Sequence, residues 1–425
     1  MSQDMFSPIK IVDLDLTGPW PGINVRDPKT GRNFGGVFCL VRNNGKPVTV
    51  VEFSLHGEDI ASTALRALIG QAVESCSATT EPRPAPAAEV LFASIIVATR
   101  DRPGSLAICL DSLLRQDYPA FDVIVVDNAP SSPETAELVA SRYAPTGRVH
   151  YVREDRPGLG RAHNSGMEKI DAPIAAFTDD DVIADARWLS SLVKNFDTEK
   201  KVGCVTGLIL PAELDTRAQL WTERHGGFGK GFERKIFDSK EHRPPGPLFP
   251  YTAGQFGSGA NMAFRTETLR SIGGFDSALG AGTLARGGDD LAAFFAVVNN
   301  GYQLVYEPEA IVWHHHRRSE EGMRRQAFGY GMGLGAYLTK LIVDKPSTAL
   351  RFARILPAGL AHMMGTASAK NQRLPEDYPA ALAWRERLGI LAGVPAYFRS
   401  LAALRQQQKI QRPVNLAPAV ADRQE

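Results

Sequence analysis

Between residues 90 and 177, short apolar segments alternate with helical patterns, and this alternation limits the fold more than any other feature. The predicted strands are residues 90–98, 122–127, 149–153 and 174–177, and the predicted helices are 103–116, 133–143 and 162–170. Largely apolar strands that alternate with helices are typical of a parallel sheet covered on both faces. We therefore predict a doubly wound α/β half, with the carboxyl ends of all four strands along one edge.

Polar side chains follow these strands where ligands bind in open α/β sheets. They are Thr99 and Arg100, then Asp127, then Asn164, and finally Asp179, Asp180 and Asp181. Three adjacent carboxylates repel one another, and a hard divalent cation of the Mg²⁺ type is their natural partner. The alternative is a solvated acidic turn. The acidic residues alone leave both interpretations open.

Several classes of function are disfavoured by motifs and composition. No Gly-x-Gly-x-x-Gly follows the first strand and no P-loop is present, so a dinucleotide cofactor is not expected. If phosphates bind at this edge, a metal ion must bind them, because no glycine-rich loop is present to do so. Lys plus Arg number 48 and Asp plus Glu 47, so the charge does not indicate nucleic acid as a partner. The four cysteines show no CxxC spacing and fit buried thiols in a reducing compartment.

The chain divides into four segments. We predict a small α+β module over residues 1–76, with a hairpin at Asn44-Gly45, and a Pro/Ala-rich linker over 77–89. The alternating pattern covers 90–318, and 319–425 is predicted to be helical. The basic character of the last segment favours peripheral contact with an anionic membrane surface. Packing of a helical subdomain on the core is the competing interpretation. We see no signal peptide and no transmembrane run, so we expect a cytoplasmic protein or one at the inner membrane face.

An ordered series of motifs resembles family 2 glycosyltransferases of the GT-A fold. The series comprises residues 94–103, 125–128, 160–166, 177–181, 259–265, 273–276, 287–291, 305–308 and 313–314. The resemblance covers roughly residues 90–318 and implies a mixed sheet with a nucleotide-binding half and an acceptor half. The Gln-x-x-Arg-Trp motif of processive synthases is absent, so we expect the transfer of a single sugar.

The resemblance also implies roles for the residues in the crevice, which would hold a nucleotide-diphosphate sugar. The donor-binding residues would be Thr99, Arg100, Asp127, Asn164, Asp179 and Asp180. Asp181 would bind Mn²⁺ or Mg²⁺, and His314 would complete the metal site. A polar loop after a strand is the alternative for His314, and it is our interpretation of His315 and His316.

Asp289 and Asp290 stand where the family has its catalytic Glu-Asp pair. An inverting transfer needs a carboxylate that takes the proton of the acceptor hydroxyl, and Asp290 aligns with that base. Carboxylates at a helix N-terminus also serve as caps, because the first N–H groups are free. We assign catalysis to Asp290, with Asp289 as its neighbour, and a capping role for Asp289 stays open.

The resulting prediction is an inverting, metal-dependent, non-processive glycosyltransferase. It would move one sugar from a nucleotide donor to a hydroxyl of a cell-surface glycan, a glycolipid or a small molecule. A non-catalytic sugar-nucleotide sensor or scaffold is one alternative. A sugar nucleotidylyltransferase is another, but it would need a Gly-rich basic loop after the first strand, which residues 99–104 do not supply.

Overall fold

A small module forms the N-terminal part of the computed structural model, which describes residues 6–74, 90–196, 201–224, 228–364 and 379–411. Its elements are β1 (Ile9–Asp15), β2 (Gly36–Asn43), β3 (Lys46–Ser54) and α1 (Ser62–Glu74). Strand β2 pairs in parallel with β1 and antiparallel with β3. The predicted hairpin turn has positive φ at Asn44 (51°) and Gly45 (75°), a conformation that asparagine and glycine tolerate. Leu14, Val41 and Leu65 belong to its buried core.

One ion-pair network attaches this module to the rest of the chain. The Arg42 guanidinium is buried and bonds both carboxylate oxygens of Asp13, at 2.7 Å each. It also donates to Asp185, 2.7 Å away in the next domain. Since Arg42 is buried, loss of either partner would leave charge poorly compensated away from water. The module is therefore docked on the main sheet.

The first half of the main sheet has the predicted order of elements. They are β4 (Ala93–Thr99), α2 (Pro103–Leu113), β5 (Phe121–Asn128), α3 (Glu134–Leu138), β6 (Val149–Glu154), α4 (Leu159–Met167) and β7 (Ile174–Asp179). The four strands are all parallel, in the order β7-β4-β5-β6. Ile96 packs in the core on one face of the sheet, while Ile95 and Val97 pack in the core on the other. The parallel sheet covered on both faces is confirmed.

The second half makes the sheet mixed. Its elements are β8 (Val182–Ala184), α5 (Trp188–Val193), β9 (Val202–Pro211), α6 (Arg217–Arg224), β10 (Lys235–Phe237), β11 (Asn261–Arg265), α7 (Thr266–Ser271), α8 (Asp289–Asn299) and β12 (Gln303–His314). Strand β11 runs antiparallel to both β7 and β9, and so joins the two halves. Strand β12 pairs in parallel with β9 and antiparallel with β8 and β10. The predicted mixed α/β architecture is confirmed.

Asn261 fixes the junction between the halves. It is fully buried, and its amide nitrogen donates to the carbonyl oxygens of Leu208 (3.0 Å) and Ala310 (2.8 Å). Its amide oxygen accepts a hydrogen bond from the Trp188 indole at 2.9 Å. One side chain thus connects β9, α5 and the part of β12 around Ala310, where the register with β9 shifts. It satisfies polar groups that would otherwise be buried without partners.

Three long helices follow the sheet, as predicted for the C-terminal region. They are α9 (Glu320–Asp344), α10 (Thr348–Met364) and α11 (Ala380–Gln411). Helices α9 and α11 pack with their backbones almost in contact: a Cβ added at Gly331 would lie 1.9 Å from the Glu386 carbonyl oxygen. One at Gly393 would lie 2.3 Å from the Met332 carbonyl oxygen. In the described part of the chain, no helix combines the length and the apolar character needed to cross a membrane.

Candidate active site

The acidic cluster lies at the carboxyl end of β7, as the strand pattern predicts. Asp179 is the last residue of the strand and is partly exposed, whereas Asp180 is completely buried and Asp181 nearly so. Parallel pairing of β7 with β4 places Asp179 beside Ala98, at the same edge as Thr99. The three carboxylates therefore face different surroundings although they are adjacent in sequence.

Asp180 is occupied by contacts within the protein. The Thr99 hydroxyl donates to it at 2.6 Å, and the Arg102 guanidinium lies 2.9 Å from its other oxygen. Burial raises the pKa of Asp180 to about 6, against the opposing effects of Arg102 and Thr99. The predicted donor-binding residues Thr99 and Asp180 thus bind each other, and the described geometry gives both a role in shaping the crevice.

Asp179, Asp181 and His314 come together as a set that could hold a metal ion. One ligand atom from each lies within 4.8 Å of the other two. Burial and the charges of Asp181 and Asp180 raise the pKa of Asp179 well above its usual range. Burial acts in the same direction on Asp181, but His314, Arg102 and Arg317 outweigh it and hold the pKa of that carboxyl low. Asp181 therefore stays ionised, as a metal ligand must be.

Behind His314, a chain of buried hydrogen bonds runs away from the carboxylates. Its Nδ1 lies 3.1 Å from Nδ1 of His316, and Nε2 of His316 lies 3.0 Å from a Glu223 carboxylate oxygen. An ionised Glu223 can only accept, so His316 must donate from Nε2. If both rings are neutral, Nδ1 of His316 then accepts from Nδ1–H of His314. The free lone pair of His314 is left on Nε2, facing Asp181.

This arrangement fits a metal ion at the cluster. Nε2 of His314 lies 3.3 Å from Oδ1 of Asp181, and that oxygen is buried with no hydrogen-bond partner among the described residues. At this distance their repulsion is offset either by a proton on Nε2, which would lower the pKa of Asp181, or by a cation between the two atoms. Burial lowers the pKa of His314, which favours the neutral ring that a metal requires. Carboxylate and imidazole together suit Mn²⁺ better than Mg²⁺.

The predicted catalytic pair opens helix α8. Asp290 is partly exposed; its Oδ2 accepts the Gly259 N–H at 2.9 Å, and its Oδ1 accepts the Leu291 N–H at 2.8 Å. Burial raises the pKa of Asp290. Asp289 is 4% exposed, and burial followed by the charge of Asp290 raises its pKa to about 7. Its Oδ2 lies 3.8 Å from Nδ1 of the buried His163. Of the two, Asp290 is the carboxylate within reach of a substrate.

Helix α9 brings Tyr330 to the same crevice, and no sequence motif predicted this residue there. Desolvation raises the pKa of its hydroxyl, and the charges of Asp179, Asp181 and Asp290 add to the rise. Ring contacts place it there: the Phe228 ring lies 6.3 Å from that of Tyr330 and 5.3 Å from that of His314, between centroids. The amide of Gln326 donates to the Tyr330 hydroxyl at 2.7 Å. The Thr178 hydroxyl donates to the Ala260 carbonyl at 2.8 Å, and the neighbouring Gly259 N–H donates to Asp290. Asp290 therefore lies beside the strand end that carries Asp179.

On the donor side, the predicted residues are spread more widely. Asp127 is completely buried; Tyr151 donates to its Oδ2 at 2.9 Å, and its Oδ1 has no hydrogen-bond partner among the described residues. Asn164 exchanges two hydrogen bonds with the Phe275 backbone. Arg100 is exposed and lies 3.6 Å from Asp101. Asp127 pairs with Thr99 in the register of β4 and β5. Among the described residues, no hydrogen bond or ion pair joins Asp127, Asn164 or Arg100 to the acidic cluster, and their donor-binding roles stay predictions.

Other residues of the site were not predicted, or were predicted differently. Arg102 bridges Asp180 and Asp181, and neither Arg102 nor Glu223 was singled out. His316 lies in the loop after β12, as interpreted, but this residue is 3% exposed and its side chain is bonded at both nitrogens. Arg317 lies 3.8 Å from Asp181, whereas Arg318 pairs with Glu213 and Asp215. A second imidazole two residues after His314 was the one available signal for this chain.

Comparison with protein families gives a match at the core of this site. Residues 94–273 match the family described as Glycosyl transferase family 2. The match begins in β4 and ends just after α7, so it includes the acidic cluster and stops before Asp289 and His314. It supports the resemblance found in the motifs.

Individual relatives are distant. A pre-mycofactocin glycosyltransferase of Mycobacterium tuberculosis is 23% identical over 286 residues, which is 67% of this chain and 55% of that protein. The chain thus spans about half the length of this relative. A glucosyl-dolichyl phosphate glucuronosyltransferase of Haloferax volcanii is 21% identical over 52% of this chain and 68% of its own length. Together with the family match, these names support a glycosyltransferase enzyme.

Among solved structures, one similar chain is the mannosyltransferase PcManGT from Pyrobaculum calidifontis in complex with GDP-Man and Mn²⁺. It is 22% identical, with a TM-score of 0.47, over 79% of this chain and 85% of that one.

Proposed function

We propose that this protein is an inverting, metal-dependent glycosyltransferase that moves one sugar from a nucleotide-diphosphate sugar to a hydroxyl acceptor. One observation carries the proposal: the cluster of Asp179, Asp181 and His314 lies at the end of β7, and Asp290 accepts the Gly259 N–H just before the adjoining start of β11. Through a bound metal, the cluster can hold the leaving diphosphate, and Asp290 can accept a proton. Transfer with inversion needs both on opposite sides of the reacting carbon.

The metal site would act on the leaving group. Asp181, Asp179 and His314 would hold Mn²⁺ or Mg²⁺, which when bound neutralises the charge that develops on the diphosphate. Arg317 lies 3.8 Å from Asp181 and is half exposed, so its guanidinium can reach an anionic group beside the cluster. Arg102 is engaged with Asp180 and Asp181, and its role is to keep these carboxylates in place.

Asp290 would act as the base. The acceptor oxygen forms a bond to the anomeric carbon, while the bond from that carbon to the diphosphate oxygen breaks and its electrons leave with the nucleoside diphosphate. The proton of the acceptor hydroxyl passes to the Asp290 carboxylate. Burial raises the pKa of this carboxyl and makes it a better proton acceptor than a solvated aspartate. The Gly259 N–H holds it in place.

The environment of Asp127 supports a nucleotide as the part of the donor that the protein recognises. Its Oδ1 is buried at the end of β5 with no hydrogen-bond partner among the described residues, and an ionised carboxylate only accepts. A base edge that carries an N–H would satisfy it. Burial raises the pKa of Asp127, although the Tyr151 hydrogen bond opposes this, so binding of an N–H donor would compensate an energetic cost.

A donor panel tests the proposal. The protein is incubated with nucleotide-diphosphate sugars of different bases, with Mn²⁺ or Mg²⁺ and a set of hydroxyl acceptors, and released nucleoside diphosphate is measured. Release that needs the metal and rises with one class of acceptor is the expected result. Calorimetric binding of a sugar nucleotide, without release under any of these conditions, would instead support the sensor or scaffold.

A further inference from the structure

Helix α11 presents one exposed apolar face along half of its length. Its five exposed large side chains are Trp384 (63%), Leu388 (51%), Leu391 (71%), Val394 (46%) and Phe398 (52%). The spacing of four, three, three and four residues keeps them on one side of an α-helix. Single exposed apolar residues are ordinary on protein surfaces, but a continuous stripe of this kind marks an interaction site.

The opposite side of α11 is already occupied. A Cβ at Gly389 would lie 2.3 Å from the Phe328 carbonyl oxygen, and one at Gly393 the same distance from that of Met332. The two helices approach so closely that α9 fully covers this side. The exposed stripe therefore does not result from a loosely placed helix. It is the outward face of a helix whose inward face is fixed.

Helix α10 repeats the pattern. Leu350 (68%), Leu356 (57%) and Leu360 (39%) are exposed, while Phe352 packs edge-on against the Tyr251 ring with centroids 4.8 Å apart. This helix too has an inner side in contact with the core and an outer side that carries leucines. Both outer faces belong to the C-terminal region, and their side chains lie outside the proposed catalytic crevice.

The charges of these helices decide what kind of partner fits. Helices α10 and α11 contain seven Lys or Arg residues and a single acidic one, Glu386, in a chain whose total net charge is +1. Arg385, Arg399 and Arg405 are exposed, and helical geometry places them on or beside the apolar stripe. A second copy of the chain would bring two positive faces together. An anionic partner with an apolar interior fits both features.

We propose that the outer faces of α10 and α11 dock on an anionic phospholipid surface. Trp384, Leu391 and Phe398 would enter the boundary between headgroups and acyl chains, where indole rings and apolar side chains are favoured. The exposed arginines would pair with lipid phosphates. The inference does not depend on the enzymatic proposal, because it rests on side chains outside the crevice.

Vesicle sedimentation tests it with the full chain. The protein is mixed with vesicles of phosphatidylcholine alone or with about one third phosphatidylglycerol, and the bound fraction is measured. Binding to the anionic vesicles, weakened at high salt, is expected. In Trp384→Gln/Leu391→Gln, partitioning should fall at least tenfold. Arg399→Glu should lower it roughly fivefold or more, since each basic residue near such a surface contributes about 1 kcal/mol. Leu68→Gln, an exposed leucine of the N-terminal module, is the matched control.

The possible results distinguish a phospholipid surface from a second copy of the chain as the partner of this face. No binding of the wild-type chain to anionic vesicles would overturn the proposal, and so would equal binding by the double variant and the control. Concentration-dependent dimers in light scattering that the double variant abolishes would assign the face to a second copy and also refute it. Circular dichroism of each variant verifies folding. Vesicle binding needs no sugar donor, so its failure is independent of the result of the donor panel.

Discussion

Nδ1 of His314 lies 3.1 Å from Nδ1 of His316, and both rings are buried. One of these nitrogens must therefore donate to the other, and the carboxylate of Glu223 at the far end of the chain determines the direction. A residue that touches neither substrate nor metal thus sets which nitrogen of His314 carries the lone pair.

The first prediction follows from this relationship. His316→Ala should weaken Mn²⁺ binding by roughly 10- to 100-fold, the usual effect of removing an outer hydrogen-bond partner of a metal ligand. Calorimetric titration with Mn²⁺ in the absence of sugar nucleotide measures it. Glu223→Gln should have a smaller effect in the same direction. His315→Ala is the matched control, since no described contact connects its side chain to His314; equal losses in both variants would refute the positioning role of His316.

A second prediction concerns Asp181. Asp181→Ala should abolish the metal requirement and tight nucleotide-sugar binding together, because the carboxylate that stays ionised in the cluster is lost. Removal of metal from the wild-type chain with a chelator should reproduce the loss of activity. The readouts are nucleoside diphosphate release and donor affinity with and without Mn²⁺. Metal-dependent turnover that survives in the variant would rule out Asp181 as a ligand.

A third prediction separates the two aspartates of α8. Asp290→Asn should leave donor binding intact and reduce transfer by roughly 10²- to 10⁴-fold, the range for loss of a general base. Asn keeps one oxygen, which can accept the Gly259 N–H, while the hydrogen bond from the Leu291 N–H is lost. Steady-state transfer rates and donor affinity are measured side by side for Asp290→Asn and Asp289→Asn. If Asp289→Asn is inactive and Asp290→Asn turns over normally, the assignment of the base is wrong.

A fourth prediction concerns the pH dependence of stability. Arg156 and Ser165 bind the buried Glu154 carboxylate and, although burial opposes them, lower its pKa from 4.5 to about 2. A lowered folded-state pKa contributes stability that is fully present above about pH 4.5 and is lost as pH falls towards 2. The shift corresponds to about 3 kcal/mol. Denaturant unfolding of Glu154→Gln should show this deficit at pH 7 and a shrinking deficit at lower pH.

The control for that experiment is Glu58→Gln, an exposed carboxylate of the N-terminal module. It should follow the wild-type chain at every pH. A constant difference between Glu154→Gln and wild type from pH 7 to 3 would contradict the electrostatic explanation, because a mere packing defect does not depend on protonation.

A fifth prediction uses two glycines of α9. Gly331→Ala should destabilise the protein by about 2 kcal/mol or more, since its Cβ would lie 1.9 Å from the backbone oxygen of Glu386 and α11 would have to move. Gly329 lies two residues earlier in the same helix, and a Cβ added there would meet no atom of the described residues within 4 Å. Gly329→Ala should be neutral or stabilise by up to about 1 kcal/mol, because alanine favours helix. Thermal unfolding compares the two, and equal effects would disprove close backbone packing as the cause.

Periodicity in the sequence was sufficient to predict the strands and helices of the first half. Strands β4, β5 and β7 are buried on both faces, so their apolar runs are nearly continuous and end abruptly in polar residues. The edge strand β6 differs, with His150 and Arg153 exposed. Helix α2 ends at Leu113, three residues before the predicted end. The reason is long-range: the Gln116 side chain donates to the Asp185 carbonyl and accepts the Leu189 N–H, at 2.8 Å each. No local pattern contains such contacts.

The candidate site likewise combines residues that sequence motifs predict with residues that only long-range contacts place there. Asp179, Asp181 and His314 could be singled out because family motifs mark the ends of β7 and β12. His316 and Glu223 could not, since their contact spans 93 residues and joins a strand end to a helix end. Tyr330 enters the crevice only because α9 folds back on α8. The proposed metal ligands follow short motifs, whereas the residues that orient them depend on how distant elements pack.

The way Asn261 and β11 join the two halves has a consequence for how substrates enter. A single sheet runs through both halves, and β11 is hydrogen-bonded to a strand of each. Opening the crevice by rotating one half away from the other would break that ladder and expose the buried amide of Asn261. The continuous sheet therefore disfavours a hinge motion between the two described halves. In the proposed function, exchange of donor and product would then depend on movement of the segments that border the crevice, and the distance between the proposed metal ligands and the proposed base would stay constant.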